Sequence, residues 1–350
     1  RSASLQDYWD LHRTQPCVSG AFLWALLDEA VVRTDDNHRL DTAGNQAPDG
    51  ILGPHREKEG SFSAIKEIFA PVQIDFINGN ERFQGKIKVE NRYDFTDLAG
   101  CRLRLELVDF PSPFDTGTAR ISYRHEMPFP SIPPRTSRDI TLPLPELFQS
   151  HDALWINIID GSGRIVLTRT IPFREAGEFV QANVHKGMGS IQIEEGESTI
   201  TVTAGKTEFL FSRHGKLSRV LRSGREISFN NGPSLATGNT RNGRTVCKVT
   251  EDACTIETTF NAGAFRSLRW TVYPGGWLRL DYQYQLFGPV DFMGISFSCP
   301  ESKIRSAKWL GQGPYRVWKN RRAGGHLNIW QNRYNDTVTG QSWDYPEFKG

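Results

Sequence analysis

The sequence predicts a mainly β chain in which a short α/β stretch precedes two β-sandwiches of different size. Three observations carry this. An apolar run, Ala21-Phe22-Leu23-Trp24-Ala25-Leu26-Leu27, lies between two segments of helical spacing. After Pro71 the pattern changes to short alternating strands. From about Arg174 the strands become more numerous, with no helical pattern between them.

In the first part, residues 1–70, Leu5, Tyr8, Trp9 and Leu11 or His12 recur at roughly helical spacing. Ser4 can cap that helix, with Asp7 three residues on, and Pro16 closes it. The apolar run that follows is too short for a bilayer, which needs about 20 apolar residues. Opened by Ser-Gly and closed by Asp28-Glu29, it suits a strand buried on both faces. An irregular polar loop is expected from about Arg33 to Glu59. Over residues 61–72, Phe62, Ile65, Ile68 and Phe69 form a second helical stripe, with Ser61 as N-cap and Pro71 as stop. Helix, buried strand, long loop, helix is the order expected at the end of a (β/α)8 barrel, whose complete form takes about 250 residues. Residues 1–70 are therefore expected to be a C-terminal barrel remnant, and the fold to be incomplete at both ends.

Residues 71–174 alternate apolar and polar positions. An Asn78-Gly79 turn marks a hairpin. Further strands are expected at 102–108, 119–123, 140–142, 154–160 and 165–173, with a Pro-rich connection over 127–137. Such short strands over about a hundred residues describe an immunoglobulin-like sandwich, although the Cys-Trp-Cys hallmark is missing. Residues 175–350 add strands broken by Gly-bearing turns, among them Pro274-Gly275-Gly276, and read as a large antiparallel sandwich.

Bulk composition bounds the function. The net charge is +2 and basic residues are scattered, so nothing points to nucleic acid or an acidic membrane. The densest basic group, Lys319-Asn320-Arg321-Arg322, reads as a solvated turn. No transmembrane pattern occurs. The five cysteines have no CxxC pair, which argues against a zinc site or a disulfide framework, while a Cys247–Cys254 bridge stays open. The compartment, cytoplasmic or periplasmic, stays open too, because Arg1 is not expected to be the natural start.

Three stretches in order resemble a family 2 glycoside hydrolase of the large β-galactosidase type. YWDLHRTQPCVSGAFLWALLDEA is similar to that family's helix and final barrel strand. DGILGPHREKEGSFSAIKEIFAPVQI is similar to the segment that follows, and WLGQGPYRVWKNR to the C-terminal sandwich signature. The resemblance identifies the third part as a β-galactosidase C-terminal, mutarotase-like sandwich. It implies a parent enzyme that hydrolyses a β-linked carbohydrate with retention, using two carboxyl groups about 5 to 5.5 Å apart. It places both catalytic glutamates upstream of Arg1, so the chain alone is expected to be inactive. Asp28 and Glu29 do not substitute, since adjacent strand residues point to opposite faces.

The resemblance carries over three binding residues. Trp24 matches an apolar wall of the sugar subsite, where sugar C–H faces stack on the ring; a plain core tryptophan is the other reading. Asp49 stands where the family has an Asn near the substrate and a sodium site, so it is a weak metal candidate. Arg56, beside His55, holds its loop or touches substrate. No cofactor is required, with Na or Mg the ion candidates for the parent enzyme, and a homo-oligomer is implied. Departures at Ala21, Leu26 and Lys58-Glu59-Gly60 lie in the pocket and leave the sugar open. Gly311, Gly313 and Pro314 look like turn-formers, and Trp309 and Trp318 like core. The alternative is a non-catalytic carbohydrate-binding or structural β-sandwich protein.

Overall fold

A computed structural model describes residues 2–42, 49–77, 82–112, 115–184, 187–239, 241, 243–314, 317 and 322–334. The chain is mainly β, with several sheets and, among the described residues, no closed barrel. It opens with α1 (Ser2–Thr14). At the start of the expected irregular loop, β2 (Arg39–Thr42) instead pairs antiparallel with β1 (Ala30–Arg33), just ahead of it, as a hairpin. Arg33 closes it by reaching Asp35 at 2.7 Å and Asp41 at 3.2 Å. α2 (Gly60–Ile68) turns Ala64 and Ile68 inward, and Phe69 after it packs its ring 4.2 Å from that of Trp9. Its N-cap is Glu59 rather than Ser61, without a side-chain capping bond.

The alternation after Pro71 becomes β3 (Val72–Phe76), β4 (Lys86–Asn91), β5 (Arg102–Asp109), β6 (Arg120–Pro128), β7 (Ser137–Thr141), β8 (Ala153–Ile159) and β9 (Ile165–Pro172). They build two sheets, β3-β4-β7 and β6-β5-β8-β9. The turn at Asn78-Gly79 lies outside the described residues, but β3 and β4 pair antiparallel around it. Every second residue faces one shared core: Val72 and Ile74, Ile87 and Val89, Leu103, Leu105 and Leu107, Leu154, Ile156 and Ile158. Burial of each such side chain contributes roughly 1.5–3 kcal/mol. Asn91, one of several buried polar residues here, has both its amide and its oxygen engaged. Its amide donates to the carbonyls of Thr96 (2.9 Å) and Ile132 (2.8 Å), and its oxygen accepts the Tyr93 N–H.

After α3 (Ala176–Asn183) come β10 (Ile191–Glu195), β11 (Thr199–Ala204), β12 (Thr207–Ser212), β13 (Leu217–Arg222), β14 (Arg225–Ile227) and β15 (Asn230–Leu235). Then follow β16 (Arg244–Val249), β17 (Cys254–Thr259), β18 (Phe265–Val272), β19 (Leu278–Tyr284) and β20 (Ile295–Ser298). One sheet runs β10-β11-β12-β13-β15-β20 with β14 beside β13, the other β16-β17-β18-β19. Ile200, Val202, Phe209, Phe211 and Leu217 of the first meet Cys254, Ile256, Trp270 and Val272 of the second. Cys247 and Cys254 are free thiols rather than a bridge. Burial pushes the Cys254 thiol up to about 11, which keeps it protonated and inert.

The last described strands, β21 (Ser306–Gly313) and β22 (His326–Arg333), pair as a hairpin. Gly311 and Gly313 are strand residues, not turn-formers. A Cβ on Gly313 would lie 2.6 Å from the Trp330 ring, so the glycine makes room for that indole. Trp318 lies outside the described residues. The chain divides into two compact units, Arg1–Ala176 with Ser306–Gly350, and Gly177–Arg305. This grouping differs from parts at 1–70, 71–174 and 175–350, because the last hairpin packs on the smaller sandwich. Trp155 Nε1 donates to the Leu327 carbonyl at 3.0 Å, and Leu327 N–H to Thr170 Oγ1 at 3.1 Å.

Glu67 ties three elements of this unit together. From α2, its carboxylate takes a salt bridge from Arg169 of β9 and the Gly324 N–H, 2.7 Å away, ahead of β22. Arg169 also donates to Gln73 of β3 at 2.7 Å. Gly324, with φ +81°, sits directly on the α2 backbone at Ser63 and Ala64, where no Cβ fits. Glu67→Ala should therefore lower stability by about 2 kcal/mol, since it leaves the Gly324 N–H without its acceptor and Arg169 with Gln73 alone. Urea unfolding, with Glu67→Gln as the intermediate case, checks this.

Candidate functional site

The apolar run around Trp24 is not the doubly buried strand expected. Only an isolated bridge, Leu27 to Leu52 in parallel, is present, although backbone bonds extend the pairing. Ala25 N–H donates to the Asp49 carbonyl (3.1 Å), Ile51 N–H to Ala25 (3.1 Å) and Asp28 N–H to Leu52 (2.9 Å). Phe22, Trp24 and Leu26 are exposed, Trp24 at 82%, while Leu23, Ala25 and Leu27 are half-buried. The physical reason is that a strand is buried on both faces only between neighbours. Among the described residues, the only backbone pairing of this segment is with 49–52. The Trp24–Ala25 peptide is cis.

The residue after Trp24 donates its N–H to the Asp49 carbonyl, and Trp24 and Asp49 are both exposed. Arg56 is not in this pairing. It sits, exposed, on the following turn with φ 65°, its N–H donating to Gly53 at 2.8 Å. Among the described residues, no three His, Cys, Asp or Glu side chains gather as a metal site. Asp49 therefore belongs to no such group. A broad apolar surface beside a carboxylate can hold a sugar ring by stacking and by accepting from its hydroxyls.

Asp28 has a structural role that its position in the sequence did not announce. It is buried, and its Oδ1 accepts the Gly50 N–H at 2.6 Å. A Cβ on Gly50 would meet the Asp28 N at 2.5 Å, so the two segments approach as only glycine allows. Glu29 beside it is exposed. The two acids do not form a facing pair.

A concavity of mixed polar and apolar character in this unit has Lys66, Glu67, Val166, Leu167, Thr168 and His326 among its lining residues. Burial lowers the His326 pKa below its ordinary 6.5, with Lys66 adding to the shift and Glu67 opposing it. Burial also lowers that of Lys66.

Two outcomes follow from these groups. Asp28→Ala should raise hydrogen exchange at the Gly50 amide by about tenfold or more, the loss of one charge-assisted bond. His326 binds a proton less readily folded than unfolded. Its contribution is therefore flat above about pH 6.5 and turns destabilising as pH falls through that value. Urea midpoints of His326→Gln should accordingly fall less between pH 7.5 and 5.5 than those of the unaltered chain.

Residues 87–177 match the family described as β-galactosidase, domain 4. No protein of curated function matches the chain. Among solved structures, the exo-chitosanase CsxA of Amycolatopsis orientalis aligns at 10% identity, over 80% of this chain and 34% of that one, with a TM-score of 0.26. A β-D-mannosidase from Dictyoglomus thermophilum aligns at 11% identity, over 68% of this chain and 24% of that one, with a TM-score of 0.19. The chain thus spans about a third or less of these proteins, and likenesses so slight carry no argument about geometry. On the family match, and on the order of the stretches that surround it, the chain is similar to the C-terminal portion of a family 2 glycoside hydrolase.

Proposed function

We propose that this chain is part of a retaining β-glycosidase and supplies one wall of its sugar pocket together with scaffold, while the catalytic pair belongs to polypeptide outside these residues. In that chemistry one glutamate attacks the anomeric carbon as the other protonates the leaving oxygen. Water then releases the sugar from the covalent intermediate. The observation that carries the reading is the exposed indole of Trp24, next to a backbone bond from Ala25 to Asp49, in a chain whose residues 87–177 match a β-galactosidase domain. Trp24 would stack on the ring, Asp49 accept from a hydroxyl, and Arg56 hold the neighbouring turn or reach the substrate. Asp28 is engaged with Gly50, so it is not offered as a nucleophile. A β-linked carbohydrate is the proposed partner, and a homo-oligomer the proposed state of the parent enzyme.

The test is binding and turnover by the isolated chain. A β-galactoside should bind weakly and lose about tenfold in affinity in Trp24→Ala, the contribution of one stacking face. A chromogenic β-galactoside should not be hydrolysed. Turnover by this chain alone, or sugar binding indifferent to Trp24, would overturn the proposal.

A further inference from the structure

The sheet β6-β5-β8-β9 ends at β6, a strand of nine residues paired on one side only. Its register decides which backbone groups stay open. Phe129 N–H donates to the Cys101 carbonyl at 3.0 Å, in phase with the pairs Leu103–Met127 and Leu105–His125. Antiparallel strands alternate hydrogen-bonded with non-hydrogen-bonded pairs. Tyr123, His125 and Met127 therefore turn their N–H and C=O groups toward β5, while Arg124 and Glu126 turn theirs away from it. Among the described residues, no hydrogen bond takes up those of Arg124 and Glu126.

An open edge accepts a further strand, and proteins commonly block one with charges, bulges or proline. Here a bulge beside Leu107 and Val108 closes one end of the open stretch, and Pro128 closes the other. Between them the edge carries both signs. Arg124 lies across from Glu106 of β5 and bonds it at 2.8 Å, and Glu126 lies across from Arg104 and bonds it at 2.8 Å. On the other face of the sheet, Tyr123 and Met127 pack against the apolar core.

The strand that complements this edge is a second copy of itself. With the two antiparallel about a twofold axis at His125, Arg124 stands opposite the partner's Glu126, and Tyr123 opposite the partner's Met127. The row across the seam then alternates in sign: Glu106, Arg124, the partner's Glu126, the partner's Arg104. The facing positions 124 and 126 are those whose backbone groups are open, so each pair can exchange both its N–H···O bonds. The charges also fix the register. A slip of two residues sets Arg124 against the partner's Arg124 in one direction and Glu126 against the partner's Glu126 in the other, and like charges directly opposite are destabilising. A slip of one turns the apolar side chains to the wrong face.

We infer that β6 is a self-association edge, through which two copies of this chain join their four-stranded sheets into one continuous sheet. The inference names a surface for the homo-oligomer proposed above and uses no residue of the Trp24 wall, so the two readings fail separately. Sedimentation equilibrium of the full chain should show a dimer at about 100 µM, as suits a small interface. Arg124→Glu and Glu126→Arg should each weaken it by about tenfold or more, because each sets like charges face to face twice. Mixed in equal amounts, the two variants should associate with each other, since every facing pair is then of opposite sign. Glu106 is buried beside Arg124, so urea midpoints report whether each variant is folded.

His125→Cys, in a chain with Cys17→Ser and Cys299→Ser, tests the same axis without altering the charged rows. Two cysteines facing each other in a non-hydrogen-bonded pair lie within reach of a disulfide. Mild oxidation should therefore link position 125 to its counterpart, whereas Ser122→Cys, away from the axis, should not cross-link. A monomer at about 100 µM, a dimer indifferent to both charge reversals in folded variants, or no link at position 125 would overturn the inference. Sugar binding that depends on Trp24 in a monomeric chain would sink this inference and leave the pocket standing.

Discussion

The larger compact unit depends on one carboxylate. Glu67 leaves α2 and receives Arg169 from the middle of β9 and the N–H of Gly324 ahead of β22. Residues more than 250 positions apart in sequence meet there. Partly buried ion pairs of this kind are weak sources of net stability. Their effect lies in the penalty for any arrangement that leaves one partner alone. The contact therefore specifies where the helix, the sandwich edge and the last hairpin sit within the unit, and Gly324 allows the close approach that the charge directs.

The candidate sugar surface follows a different logic. Phe22, Trp24 and Leu26 are exposed, and the segment is held through backbone bonds to residues 49–52 and through the Asp28 carboxylate. An anchored backbone with open aromatic side chains is suited to a ring-shaped, half-apolar ligand. The same pairing ties the residue after Trp24 to the Asp49 carbonyl, whereas Arg56 is carried onto a turn.

The β-sandwich content was legible in the sequence because period-two alternation is a local property. The strand at 102–109 matches its apolar positions almost residue for residue, as Leu103, Leu105 and Leu107 all face the core. The run around Trp24 misled because an apolar sequence states a preference for burial without naming what does the burying. The loop expected at 33–59 concealed a hairpin, since the two strands are short and their closure rests on Arg33 meeting Asp35 and Asp41.

By itself the sequence determined the mainly β class, the order of the strand-rich regions, the absence of a cysteine–zinc pattern and the family that the chain resembles. Each of these is written in periodicity or in contiguous motifs. Tertiary structure alone decided that the hairpin of β21 and β22 joins the smaller sandwich, that Asp28 anchors Gly50, and that Phe297 is gripped between Phe229 and Gly232. Those depend on which distant segments come within reach of one another, and sequence spacing does not encode such distances.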